Sequence, residues 1–118
     1  MKNVSYHFRR NGLFIRSRGR PMRRVDFAWP IAEVIAFAEI LVVRIQPKPG
    51  AKDNQNVFGV RSDGEIAWQV PDRQFIYDDS PFTGMMRTGT NVYLSNWDGT
   101  ELIVDPSTGK VLHETYGK

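Results

Sequence analysis

Asn56–Val70, NVFGVRSDGEIAWQV, places two short apolar runs on either side of Asp63-Gly64. Asp-Gly between alternating apolar residues is a strong hairpin signal. A two-residue loop at Asp63-Gly64 would set Val60 against Ala67 and Phe58 against the polar Gln69. A three-residue loop, Ser62-Asp63-Gly64, sets Val60 against Ile66 and Phe58 against Trp68. The second register collects four apolar side chains on one face, and it is the one expected. Gly64 then takes the left-handed position, which costs glycine nothing.

Asn91–Val104, NVYLSNWDGTELIV, has the same pattern at an offset of 35 residues. Asn56, Val57, Phe58 and Asp63-Gly64 match Asn91, Val92, Tyr93 and Asp98-Gly99. A Trp97-Asp98-Gly99 loop sets Leu94 against Leu102 and Val92 against Val104. Such self-similarity reads as two copies of one repeat.

The rest of the chain fits strands and turns. Asn11-Gly12 between Val4–Phe8 and Leu13–Ser17 reads as a two-residue hairpin loop with Phe8 facing Ile15. Val25–Trp29 is a candidate strand ending at Pro30. Ile31–Ile45, IAEVIAFAEILVVRI, is ambiguous. Its second half is rich in β-branched residues, which favours strands at Val34–Phe37 and Ile40–Ile45 broken near Ala38-Glu39. A short helix at 31–38, started by Pro30, is the alternative. Pro47–Gln55 is a loop, Phe75–Tyr77 a short candidate strand, Gly84–Arg87 another, and Lys110–Thr115 the last. The expectation is therefore one all-β domain over 1–118, an antiparallel hairpin meander.

At 118 residues, 41% hydrophobic and 25% charged, the composition is that of a globular domain. The chain has no cysteine, which excludes disulfides, thiolate metal sites and a cysteine nucleophile. MKNVSYHFRR has no apolar leader core, and Ile31–Val43 is too short to span a bilayer. A cytoplasmic protein with no membrane contact is expected. Charge is uneven. Residues 1–24 hold eight of the 16 basic residues and no acid, so the remaining eight face all 13 acidic ones further on.

Asp105-Pro106-Ser107-Thr108-Gly109-Lys110-Val111-Leu112 resembles the D-x-x-T-G-[K/E]-hydrophobic stretch of quinoprotein-type β-propeller repeats. Asn56–Gln69 is similar to their N-V-[F/Y]…G-E-[I/V]-x-W-[Q/R] segment. Together these cover residues 56–70 and 91–116, and the whole chain looks like small bacterial proteins of this blade-like kind. The resemblance implies blade-like sheets in an incomplete propeller, since closure takes about four to eight blades. It carries over no pyrroloquinoline quinone site, because that cofactor sits at the centre of a closed ring. No cofactor, metal or catalytic residue is expected.

His7 and His113 belong to no ligand-spaced cluster, and Asp78-Asp79 before Ser80-Pro81 reads as a turn cap. Trp68 is expected in the core. Trp97 sits in a turn, where it either covers a neighbouring hairpin, the preferred reading, or stands out as a binding anchor. The expected function is a non-enzymatic scaffold or interaction module, with a protein partner or a second copy of itself, for instance an immunity-type factor. Its candidate surface is Trp97 with Arg16, Arg18, Arg20, Arg23 and Arg24. The alternative is nucleic-acid or polyanion binding through these arginines with Arg9 and Arg10. A small-molecule or enzymatic site at Asp78, Asp79 and His113 ranks third.

Overall fold

The computed structural model describes residues 3–116; Lys2, one of the early basic residues, lies outside them. The chain runs through β1 (Val4–Arg9), β2 (Gly12–Ser17), β3 (Arg23–Asp26), β4 (Ile31–Ala36), β5 (Leu41–Ile45) and β6 (Val57–Val60). It continues through β7 (Ile66–Gln69), β8 (Phe82–Thr88), β9 (Asn91–Asn96), β10 (Thr100–Val104) and β11 (Val111–Tyr116). All pairings are antiparallel between chain neighbours. They give a three-stranded first sheet, β1-β2-β3, and two four-stranded sheets, β4 to β7 and β8 to β11. The described residues contain no helix, and they form neither a barrel nor a closed ring.

The middle sheet is covered on both faces. One face joins Leu13, Ile15, Val25 and Phe27 of the first sheet and its exit to Leu41, Val43, Ile45 and Val60. The other joins Val42, Val57, Trp68 and Val70 to Phe82, Val92, Leu94, Leu102 and Val104 of the last sheet. Every position of β5 is buried, Arg44 included, so its apolar residues do not alternate with exposed polar ones, as in a strand covered on both faces. This settles Ile31–Ile45. The two expected strands form, as β4 and β5, and the alternative helix at 31–38 does not, because Ile31 and Ile45, and Val34 and Val43, pair across a turn at Ala38-Glu39. Phe37 N–H closes that turn on Ile40 O at 2.8 Å.

Both Asp-Gly hairpins form. Asp63 Oδ1 accepts the Glu65 N–H at 2.9 Å, and Gly64 has φ +89°, where a Cβ would be strained. Val60 faces Ile66, as the three-residue loop requires. The register then shifts, so that Trp68 faces Gly59 and Phe58 faces Gln69. The reason is that this sheet has two apolar faces. Trp68 turns toward the last sheet, while Phe58 packs on Phe27 with ring centroids 5.0 Å apart. In the second hairpin Leu94 faces Leu102 and Val92 faces Val104, as expected.

The offset of 35 residues does not join equivalent strands. β6 and β7 are third and fourth in their sheet, whereas β9 and β10 are second and third. By strand order, the counterpart of the Ser62-Asp63-Gly64 turn is the Asp105–Gly109 turn between β10 and β11. The first hairpin is also corrected: its loop is Arg10-Asn11, with Phe8 facing Leu13 and Arg9 facing Gly12. The shift is by two residues, so every side chain keeps its face and the apolar pattern cannot detect it. Asn11 fixes the choice by accepting the Phe27 N–H at 2.9 Å through its carbonyl and donating its amide to Phe27 O at 3.2 Å. Phe75–Tyr77 forms no strand.

Two buried polar groups tie the middle sheet to the last. Arg44 donates to Glu33 at 2.6 Å, to Gln46 at 2.9 Å and to Phe82 O at 3.4 Å. Asn56, fully buried, donates to Ile45 O and Phe82 O and accepts from Phe82 N–H, each at 2.9 Å.

Candidate interaction site

Trp97 is 66% exposed, which overturns the expectation that it packs against a neighbouring hairpin. Its backbone, by contrast, is fixed. Trp97 N–H donates to Pro81 O at 3.0 Å. Buried Asn96 donates to Ser80 O at 2.8 Å and accepts Asp98 N–H at 3.1 Å. The Asp98 carboxylate, also buried, accepts Thr100 N–H at 2.8 Å and Ile76 N–H at 3.2 Å. Thus both neighbours of Trp97 point inward and hold the 71–81 loop, and the indole is left in solvent.

The same loop is stitched to the proline-rich 47–55 segment. Ser80 N–H donates to Asn54 Oδ1 at 2.8 Å, Asn54 donates to Asp78 O at 2.7 Å, and Asp79 accepts Gly50 N–H at 2.8 Å. Between them lies a cleft of about 460 Å³ walled by Trp97, Tyr77 and three prolines, Pro47, Pro49 and Pro81. Lys48 and Asp79 stand among its other lining residues. Tyr77 and the prolines were not singled out from the sequence, because the wall is assembled from three segments with no shared local pattern. The one hint was the unusual placement of a tryptophan in a turn.

Asp98 gives this corner a pH response. Burial is the largest single influence and favours the neutral carboxyl, but hydrogen bonds from the Thr100 N–H and hydroxyl and the Ile76 N–H, with the Arg73 charge, outweigh it. The pKa is therefore held below the usual carboxylate value. A depressed carboxyl contributes stability above its unfolded pKa, and the contribution fades as pH falls through the folded one. We expect thermal stability to decline below about pH 4. In Asp98→Asn that decline is shallower, as melting curves across the acid range would show. An unchanged acid limb in the variant would remove Asp98 from this role.

The arginines do not form one surface. Arg16, Arg18 and Arg20 line an open depression at one end of the first sheet. Arg9 and Arg10 lie at the opposite end of the β1–β2 hairpin. Arg23 and Arg24 are adjacent on β3 and so point to opposite faces. Arg24 pairs with Asp26 at 2.8 Å and lies over the Phe14 ring, 5.3 Å from its centroid. His7 stacks on the same Phe14 ring. His113 faces Ile103 in the last sheet, while Asp78 and Asp79 are taken up in the loop contacts above. Beside Ile103 the Tyr93 phenol is hydrogen-bonded to Glu101, which, with burial and the carboxylate's charge, raises its pKa. Among the described residues no group of three or more His, Cys, Asp or Glu side chains is placed to hold a metal ion, and no helix is long and apolar enough to cross a membrane.

A search of the curated proteins gave no significant match. Among solved structures, the crystal structure of the computationally designed Ika8 protein is similar, with a TM-score of 0.67 and 17% identity. That match covers all of this chain and 35% of the designed one, so this chain spans about a third of its length. At that identity the likeness shows the fold alone. The model of one family, a domain of unknown function designated DUF7957, matches residues 3–116; this chain belongs to that family.

Proposed function

We propose that the chain is a non-enzymatic protein-interaction module, and that its cleft beside Trp97 receives an extended apolar segment of a protein partner. The observation that carries this is a tryptophan held rigidly by its backbone and left two-thirds exposed on the rim of an apolar cleft. A fixed aromatic anchor loses little conformational freedom on binding, and such residues dominate interface energetics. The incomplete-propeller reading is part of the proposal. Its support is that the two stretches resembling blade motifs meet in space, Trp68 Nε1 donating to Pro106 O at 2.7 Å.

The test is to pan a displayed peptide library against the native protein and against Trp97→Ala. Apolar, proline-containing sequences enriched by the native protein and lost in the variant, with the melting temperature unchanged, are the expected result. No enrichment, or equal enrichment by both, would overturn the proposal. A second reading, polyanion binding, is favoured by one feature: Arg16, Arg18 and Arg20 line a single depression with no carboxylate in its wall. Nucleic-acid affinity falling steeply with salt would support it.

A further inference from the structure

The first sheet has three strands where each of the others has four. Strand order says which is missing. β7 is the fourth strand of its sheet, and the chain passes from it to β8, the first strand of the next. β3 leads into β4 in the same way, so β3 is a fourth strand and β1 a second one. The unfilled place is beside β1, where β4 and β8 lie in the other sheets. Among the described residues nothing pairs with that edge of β1.

The backbone there is set up for pairing. Arg18 N–H donates to Asn3 O at 3.2 Å, and the β1–β2 register continues Ser5 with Arg16 and His7 with Phe14. In an antiparallel ladder hydrogen-bonded and non-bonded pairs alternate. Asn3, Ser5, His7 and Arg9 therefore bond to β2, while Val4, Tyr6 and Phe8 aim their N–H and C=O groups at the empty side. Their side chains share a face with Leu13 and Ile15, the face turned to the middle sheet. Tyr6 and Phe8 are nevertheless 37% and 39% exposed, as aromatic residues at an unfinished margin of a core would be. The charge around this edge has one sign. The β1–β2 hairpin and the turn after it carry Arg9, Arg10, Arg16, Arg18 and Arg20 and no acid.

We propose that the free edge of β1 accepts, as a fourth strand, an extended segment of a protein partner in which apolar residues alternate with acidic ones. Main-chain bonds from Val4, Tyr6 and Phe8 would hold the strand. Its apolar side chains would cover Tyr6 and Phe8 against the middle sheet, and its carboxylates would meet the arginines. This site is on a different sheet from the Trp97 cleft and goes beyond the reading given for that cleft.

The test is titration of the isotope-labelled protein, followed through its backbone amide resonances, with three short blocked peptides. One alternates valine with glutamate, the second alternates valine with lysine, and the third is the glutamate peptide with a central proline. We expect the glutamate peptide to shift the Val4, Tyr6 and Phe8 amides first, and to slow their hydrogen exchange at least tenfold. The lysine and proline peptides should leave them unmoved, and Trp97→Ala should bind like the native protein. The proposal is overturned if the glutamate peptide leaves β1 unmoved, or if it acts at β11 instead. Equal binding of the proline peptide would also overturn it, since that would show bulk charge attraction. Loss of binding in Trp97→Ala would place the peptide in the cleft and likewise sink the edge site.

Discussion

Trp68→Ala should lower the free energy of unfolding by about 3–5 kcal/mol, the range for removing a large buried aromatic side chain. The indole is clamped rather than merely covered. On one side it lies against Gly59, where an added methyl would overlap its Nε1. On the other it lies against Gly109, where a Cβ would stand 2.7 Å from the ring. Its N–H donates to Pro106 O at 2.7 Å, so truncation also orphans a carbonyl at the junction of two sheets. Gly109→Ala should be costly for two separable reasons, the ring contact and a φ of +78° that disfavours any Cβ. In Trp68→Ala only the second remains, so the two substitutions should combine to less than their sum. Urea denaturation of the single and double variants would show this. A fully additive pair would mean that the ring and the turn do not constrain each other.

Asn56→Ala should cost about 3–5 kcal/mol, because it leaves buried backbone groups without partners at about 1–3 kcal/mol each. The groups concerned are Phe82 N–H and the carbonyls of Ile45 and Phe82. Arg44 still reaches Phe82 O at 3.4 Å, which limits the loss on that carbonyl. Asn56→Asp keeps the shape but turns a donor into an acceptor facing two carbonyls, so it should be no better than alanine at neutral pH. Denaturant midpoints measure both, and amide exchange at Phe82 localises the effect. If Asn56→Ala were as stable as the native chain, water would have to replace the side chain at the sheet junction.

Alternation, turn chemistry and the β-branched second half of Ile31–Ile45 made the all-β architecture legible before any coordinates. Asp63-Gly64 and Asp98-Gly99 gave true hairpins, and Leu94 with Leu102 fell into the expected register. What stayed hidden depended on the third dimension. The middle sheet is apolar on both faces, so collecting Phe58 and Trp68 on one side was the wrong criterion. The two matching hairpins are alike because each needs a tight turn between apolar strands, and not because they hold the same place in a sheet. Trp97 was expected to pack on a neighbouring hairpin and does not, since its exposure follows from Asn96 and Asp98 pointing inward. The cleft was invisible because Pro47, Tyr77 and Trp97 meet only through Asn54, Ser80 and Asp79. The arginines, read as one surface, are divided between the two ends of the β1–β2 hairpin and the two faces of β3.

The doubly covered β5 has a consequence for how the molecule can be divided. Cutting the chain between the first and second sheets, or between the second and third, bares an aliphatic wall on the middle one. Neither fragment of such a cut would stay dispersed in water without the other. Loss of order is therefore expected to pass through all three sheets in a single step, and domain-dissection or split-reporter designs would have to keep the trio intact.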